Sequence, residues 1–179
     1  MIYKFLSALI PLLLTASALA KDPAELVAAR QAFARDGAKG GEPARLAYVE
    51  QLAKLLEPHI ARFVKTGERD DGATAAIEAE LGRHPAPAAT DGAALAKILP
   101  GKWQTPRHTF LYQADGSFHL LPLDMDGGTN RWKIKANEYL DNVSLEPSKW
   151  SRYTIILLNE KHFVYRDKDA VFFLYRVGK

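Results

Sequence analysis

At 179 residues, with a formal charge of +3 and both signs interspersed, the chain has the size of one ordinary domain or of a small barrel with a helical appendage. No run of Lys or Arg gathers on a predicted helix face, which argues against nucleic acid as a partner. The absence of cysteine rules out a disulfide or a lipid-modified Cys and leaves packing to hold the fold.

Residues 1–20 read as a signal peptide. Lys4 supplies the positive end, Phe5 to Leu14 the apolar stretch, and Ala18-Leu19-Ala20 the small-x-small cleavage pattern. A retained anchor would need about 20 apolar residues, whereas Pro11, Thr15 and Ser17 interrupt this run. The mature chain is expected to start at Lys21, without a membrane span, in the periplasm or the medium.

Beyond the leader, composition divides near residue 100. Residues 21–99 hold twenty alanines and three aromatics, and residues 101–179 hold three alanines and thirteen aromatics. The first mixture favours helix and the second strand. The expected organisation is therefore a helical region over 21–99, with a Pro/Ala linker at 83–90, followed by a β-barrel over 100–179.

Asp22-Pro23-Ala24-Glu25 predicts a helix start with Asp22 as cap and Pro23 at the first helical position. The longest helical pattern carries Leu46, Val49, Ala53, Leu56, Ile60 and Phe63 as one apolar stripe up to Gly67, with a kink or break expected at Pro58. A weaker helix follows over 71–81, and one or two turns over 91–99 end at Pro100.

From Gly101 the period changes to two, predicting strands over 102–113, 117–123, 130–136, 138–144, 151–159, 162–166 and 170–177. Asp115-Gly116 marks a hairpin turn. Trp132 and Ile134 alternate with outward Arg131, Lys133 and Lys135. Residues 153–158 and 171–175 are apolar on both faces, so the helices are expected to cover the outside of the last strands, with a homodimer as the rival cover. The fold class is α+β: a helical segment packed on an antiparallel up-and-down meander or barrel.

Gly101-Lys102-Trp103 after a short helical turn, together with Arg176 on the final strand, resembles the calycin or lipocalin-like pattern. The resemblance covers residues 100–179 only, and the family's middle Thr-Asp-Tyr signature is absent, with Ser151-Arg152-Tyr153 only a faint echo of it. It implies that Trp103 packs across the barrel base under Arg176, and that the barrel binds small apolar molecules outside the cytoplasm. A guanidinium over an indole gains about 0.5–2 kcal/mol independently of any family.

Catalytic and metal chemistry has little to build on. His59, His84, His108, His119 and His162 share no ligand spacing. The Asp124-Met125-Asp126-Gly127-Gly128 stretch lacks the Glu of a calcium loop, since Lys135 stands in its place. Arg107, His108 and Asp124 could orient an imidazole, but a His–Asp pair without a nucleophile is an incomplete triad. Asn142-Val143-Ser144 matches a glycosylation acceptor, relevant only in a eukaryotic host. The leading expectation is an exported binding module, not an enzyme and without cofactor or metal, holding a small apolar or amphipathic ligand between Trp132, Tyr153 and Tyr165. The alternatives are a protein-interaction or inhibitor module using the basic face of Arg131, Lys133 and Lys135, and a small hydrolase around Arg107, His108 and Asp124.

Overall fold

A computed structural model describes residues 22–37, 40–121, 130–142, 149–168 and 170–178. The expected leader, the Asp124 stretch and most of the glycosylation motif lie outside the described residues.

Four α-helices come first: α1 (Ala24–Ala32), continued by a π-helical turn at Phe33–Gly37, then α2 (Gly41–Thr66), α3 (Asp71–Gly82) and α4 (Gly92–Ile98). Pro23 occupies the N-cap of α1 and its side chain caps nothing, which corrects the expected start. The Asp22 carboxylate instead pairs with Arg30 one face along the helix, a charged contact that outcompetes the cap. Asp70 and Asp91 do cap, accepting from Ala73 and from Ala93 and Ala94 respectively.

Helix α2 runs unbroken through Pro58. The carbonyl that Pro58 leaves without a donor belongs to Lys54, and both residues are exposed, where an unpaired carbonyl costs little because water can bond it. The buried stripe of Val49, Leu52, Ala53, Leu56 and Ile60 holds the helix on either side. Leu46, at the edge of the expected stripe, is exposed instead, and Tyr48 is buried. Gly67 stops the helix in the left-handed conformation, φ 73°.

Eight strands follow: β1 (Gly101–Gln104), β2 (Thr109–Tyr112), β3 (Phe118–Leu121), β4 (Arg131–Lys135), β5 (Glu138–Asn142), β6 (Ser151–Leu158), β7 (His162–Asp167) and β8 (Ala170–Arg176). They form one antiparallel sheet in the order β3-β2-β1-β8-β7-β6-β5-β4, an up-and-down meander that curls until its two ends meet. The meeting is a single bridge, Ser117 to Arg131, flanked by Phe118 N–H to Asn130 O at 3.1 Å and Trp132 N–H to Gly116 O at 2.8 Å. The result is a nearly closed barrel.

The single strand expected over 102–113 is in fact a hairpin. Pro106 has no donor for a ladder, and Thr105 organises a turn around it: its N–H reaches His108 O at 2.9 Å, and its hydroxyl accepts the His108 N–H at 3.0 Å. The Asp115-Gly116 turn is as expected, with Gly116 at φ 82° and the Asp115 carboxylate taking the Ser117 N–H.

Two hydrophobic clusters share the last strands. Inside the barrel lie Trp103, Phe110, Tyr112, Phe118, Tyr139, Ile155, Phe163, Tyr165 and Leu174. On its outer face Ile156, Leu157, Val164 and Phe173 pack against α1, α2 and α3. A register shift between Ile155 and Leu157 turns two consecutive residues of β6 toward the helices. The strands apolar on both faces are thus covered by the chain's own helices. The linker at 83–90 is pinned to the barrel as well, with Ala86 N–H on Ile155 O and Asn137 Nδ2 on Ala86 O.

Candidate functional site

The two ends of the barrel differ in how their polar groups are satisfied. At the base, Trp103 is fully buried and donates Nε1–H to Leu99 O at 2.7 Å. Arg176, directly opposite in register, sets its guanidinium 4.3 Å from the indole centroid. Its nitrogens reach Glu160 O and Pro100 O, both at 2.9 Å, and Ile98 O. Gly101 sits at φ 139°, where a Cβ would come within 2.3 Å of Arg176 Nη1. The Gly-x-Trp spacing therefore has a local cause: only glycine lets the backbone pass under that guanidinium.

At the mouth the lacing is incomplete. Strand β8 is seven residues long, but β1 pairs with it only at Arg176 and Tyr175 before turning away at residue 105. A cavity of about 520 Å³ opens along this seam. Its outer wall is made by Ile60 and Phe63 of α2 and by Val171 and Phe173, and its rim by the 105–108 turn with Arg107 and His108. Its inner wall is Phe110, Leu120, Tyr153, Tyr165, Phe172 and Asp141.

Three rings form the inner aromatic face. Tyr153 and Tyr165 have centroids 5.0 Å apart, Tyr165 stacks on Phe172 at 5.1 Å, and Tyr153 meets Phe172 edge-on at 5.9 Å. Burial raises the pKa of both tyrosine hydroxyls, of Tyr165 well above its ordinary value, so they remain neutral.

Asp141 is the exception in this wall. It is 2% exposed, and its Oδ1 finds no hydrogen-bond partner among the described residues. Burial pushes its carboxyl up to about 6, with hydrogen bonding from Tyr139 pulling the other way. Tyr112 and Tyr139 also bond each other, hydroxyl to hydroxyl, at 3.0 Å. At the cavity edge Arg69 contacts Asp71 at 3.2 Å and Glu78 at 3.0 Å, while Arg107 and His108 stand on the rim.

Of the residues expected to hold a ligand, Tyr153 and Tyr165 come together in this wall. Trp132 does not line the cavity; its Nε1–H is shared between Gln113 O and Ser117 O, both at 3.1 Å, and its ring meets Tyr112 edge-on. Of the hydrolase constellation, Arg107 and His108 lie on the rim, and Asp124 falls outside the described residues. Asp141 and Phe172 were not singled out from sequence. The signal for Asp141 was there: in Tyr139-Leu140-Asp141 an acid shares the inward register of a buried tyrosine.

Elsewhere, His162 is 2% exposed with Nε2 2.8 Å from Glu57 of α2. Glu80 gathers Arg30, Tyr48, Arg83 and His84, which lowers its pKa against the opposing effect of burial. Both clusters tie elements together. Among the described residues no three His, Asp or Glu side chains come together as a metal site, and no helix is long and apolar enough to cross a membrane. Compared with family models, with curated proteins and with solved structures, the chain has no significant match in any of the three.

Proposed function

We propose that this protein is an exported, non-catalytic binding module that holds a small apolar or amphipathic ligand in the mouth cavity. The observation that carries the reading is the aromatic wall of Tyr153, Tyr165 and Phe172 facing a cavity of about 520 Å³, a volume within the roughly 300–1,000 Å³ usual for small-molecule sites. Export rests on the leader pattern of residues 1–20. The non-catalytic reading is supported by the state of the nearest hydroxyls: burial keeps Tyr153 and Tyr165 protonated, and Thr105 is engaged in its own turn. A proton held by burial and a hydroxyl engaged in its own turn both speak against an activated nucleophile at these three residues.

The test is a titration of mature protein with the neutral apolar fluorophore N-phenyl-1-naphthylamine, followed by competition with fatty-acid-like, sterol-like and aromatic compounds. Saturable binding weakened by Tyr165→Leu or Phe172→Ala is the expected result. No saturable binding by any probe would overturn the reading and turn attention to the basic face of Arg131, Lys133 and Lys135.

A further inference from the structure

Asp141 gives the cavity a polarity that a purely apolar ligand would not answer. An unpaired buried oxygen is costly to keep, and native proteins seldom keep one without a use. We propose that the ligand carries a protonated amine on an apolar or aromatic body, with its N–H donating to Asp141 Oδ1 and its cationic end enclosed by the rings of Tyr153, Tyr165 and Phe172. This rests on the binding reading above and specifies the ligand for the same cavity.

A carboxylate flanked by aromatic faces is the chemistry that selects an ammonium. The carboxylate accepts a charge-assisted hydrogen bond, and each ring face adds attraction for the cation. A metal ion would want several oxygen or nitrogen ligands, and among the described residues no such group surrounds Asp141. An anion meets the wrong sign at depth, although Arg107 and His108 on the rim could welcome one there.

The groups facing Asp141 set its pH behaviour. Inside, Tyr112 of β2, Tyr139 of β5, Tyr153 of β6 and Tyr165 of β7 are all held neutral by burial. At the cavity edge stand Arg107, His108 and the Arg69–Glu78 pair. Asp141 must be ionised to hold a cation, so with its carboxyl at about 6 amine affinity should fall about tenfold from pH 7 to pH 5. His108 stands on the rim of the same cavity, so the contribution of Asp141 is isolated by mutation.

The experiment compares three ligands of one shape on the mature protein: 2-(2-naphthyl)ethylamine, 2-(2-naphthyl)ethanol and 2-naphthylacetate. The amine is expected to bind about tenfold or more tightly than the alcohol, and the acetate weakest of the three. Asp141→Asn should bring the amine down to the alcohol's affinity and abolish the pH step, whereas His108→Gln should keep the step. Equal binding of amine and alcohol, or a preference for the acetate, would overturn the amine assignment while leaving the binding module standing. If none of the three binds and the neutral fluorophore also fails, the binding reading itself fails and takes this one with it. Should Asp141→Asn not fold, the amine-to-alcohol ratio and its pH dependence in the unmodified protein still decide.

Discussion

The base and the mouth of this barrel are built from similar residues and have opposite economies. At the base one arginine covers one tryptophan, and three backbone carbonyls take up its nitrogens. At the mouth three rings stand beside a gap in the lacing, and a buried carboxylate oxygen lacks a donor among the described residues. A closed end gains stability from every group it satisfies. An end that receives a ligand leaves some groups for the ligand to satisfy, and the protein is less stable for it when empty.

The largest effects should therefore come from the base. Trp103→Ala removes a fully buried indole and should cost about 3–5 kcal/mol in urea denaturation. Arg176→Ala should cost less, and the double variant should lose less than the sum, because each residue's packing depends on the other. Additive losses would show that the two ends are not built differently in this respect. Gly101→Ala places a methyl group against the Arg176 guanidinium at an unfavourable φ and should cost about 1–3 kcal/mol without touching the apolar core.

At the mouth the sign reverses. The folded-state pKa of Asp141 is raised, to about 6, so its ionisation opposes folding. The penalty is absent below the ordinary aspartate range and grows as pH rises through 6. Asp141→Asn should accordingly stabilise the empty protein by about 1–3 kcal/mol at pH 7, with the gain shrinking toward pH 4. Destabilisation at pH 7 would mean that the carboxylate is a structural group like Glu80, and the contrast between the ends would be lost.

Much of the base was legible from sequence because its parts are local or fall at chain landmarks. Gly101 and Trp103 open the first strand after a helical stop at Pro100, and Arg176 closes the last. The helical cover was legible too, from residues 153–158 and 171–175 being apolar on both faces. What escaped depended on long-range placement. The turn at Pro106 shortens β1 and so unlaces β8 some seventy residues later, a coupling no local pattern expresses. The register shift in β6 decides which of Ile155, Ile156 and Leu157 face inward. Trp132 alternates inward as expected, but the carbonyls of Gln113 and Ser117 hold its indole away from the cavity. Asp141 sits on a readable inward register, yet the missing partner at its Oδ1 among the described residues depends on how the rings across the barrel pack.

The smallest expected effect on stability is also the most selective test of the mouth. Phe172 is 39% exposed, although it stacks on Tyr165 and meets Tyr153. A side chain that exposed contributes only part of the roughly 1.5–3 kcal/mol of a fully buried one, so Phe172→Ala should shift the denaturation midpoint little, by under about 1 kcal/mol. Its ring nevertheless supplies one wall of the cavity, and its loss should weaken N-phenyl-1-naphthylamine binding severalfold. Phe163, fully buried at the centre of the barrel, provides the converse: Phe163→Leu should destabilise more and, in the folded fraction, change probe affinity less. If Phe172→Ala cost stability but left affinity unchanged, the mouth rings would be core like those of the base, and the open seam would be no more than a gap in the sheet.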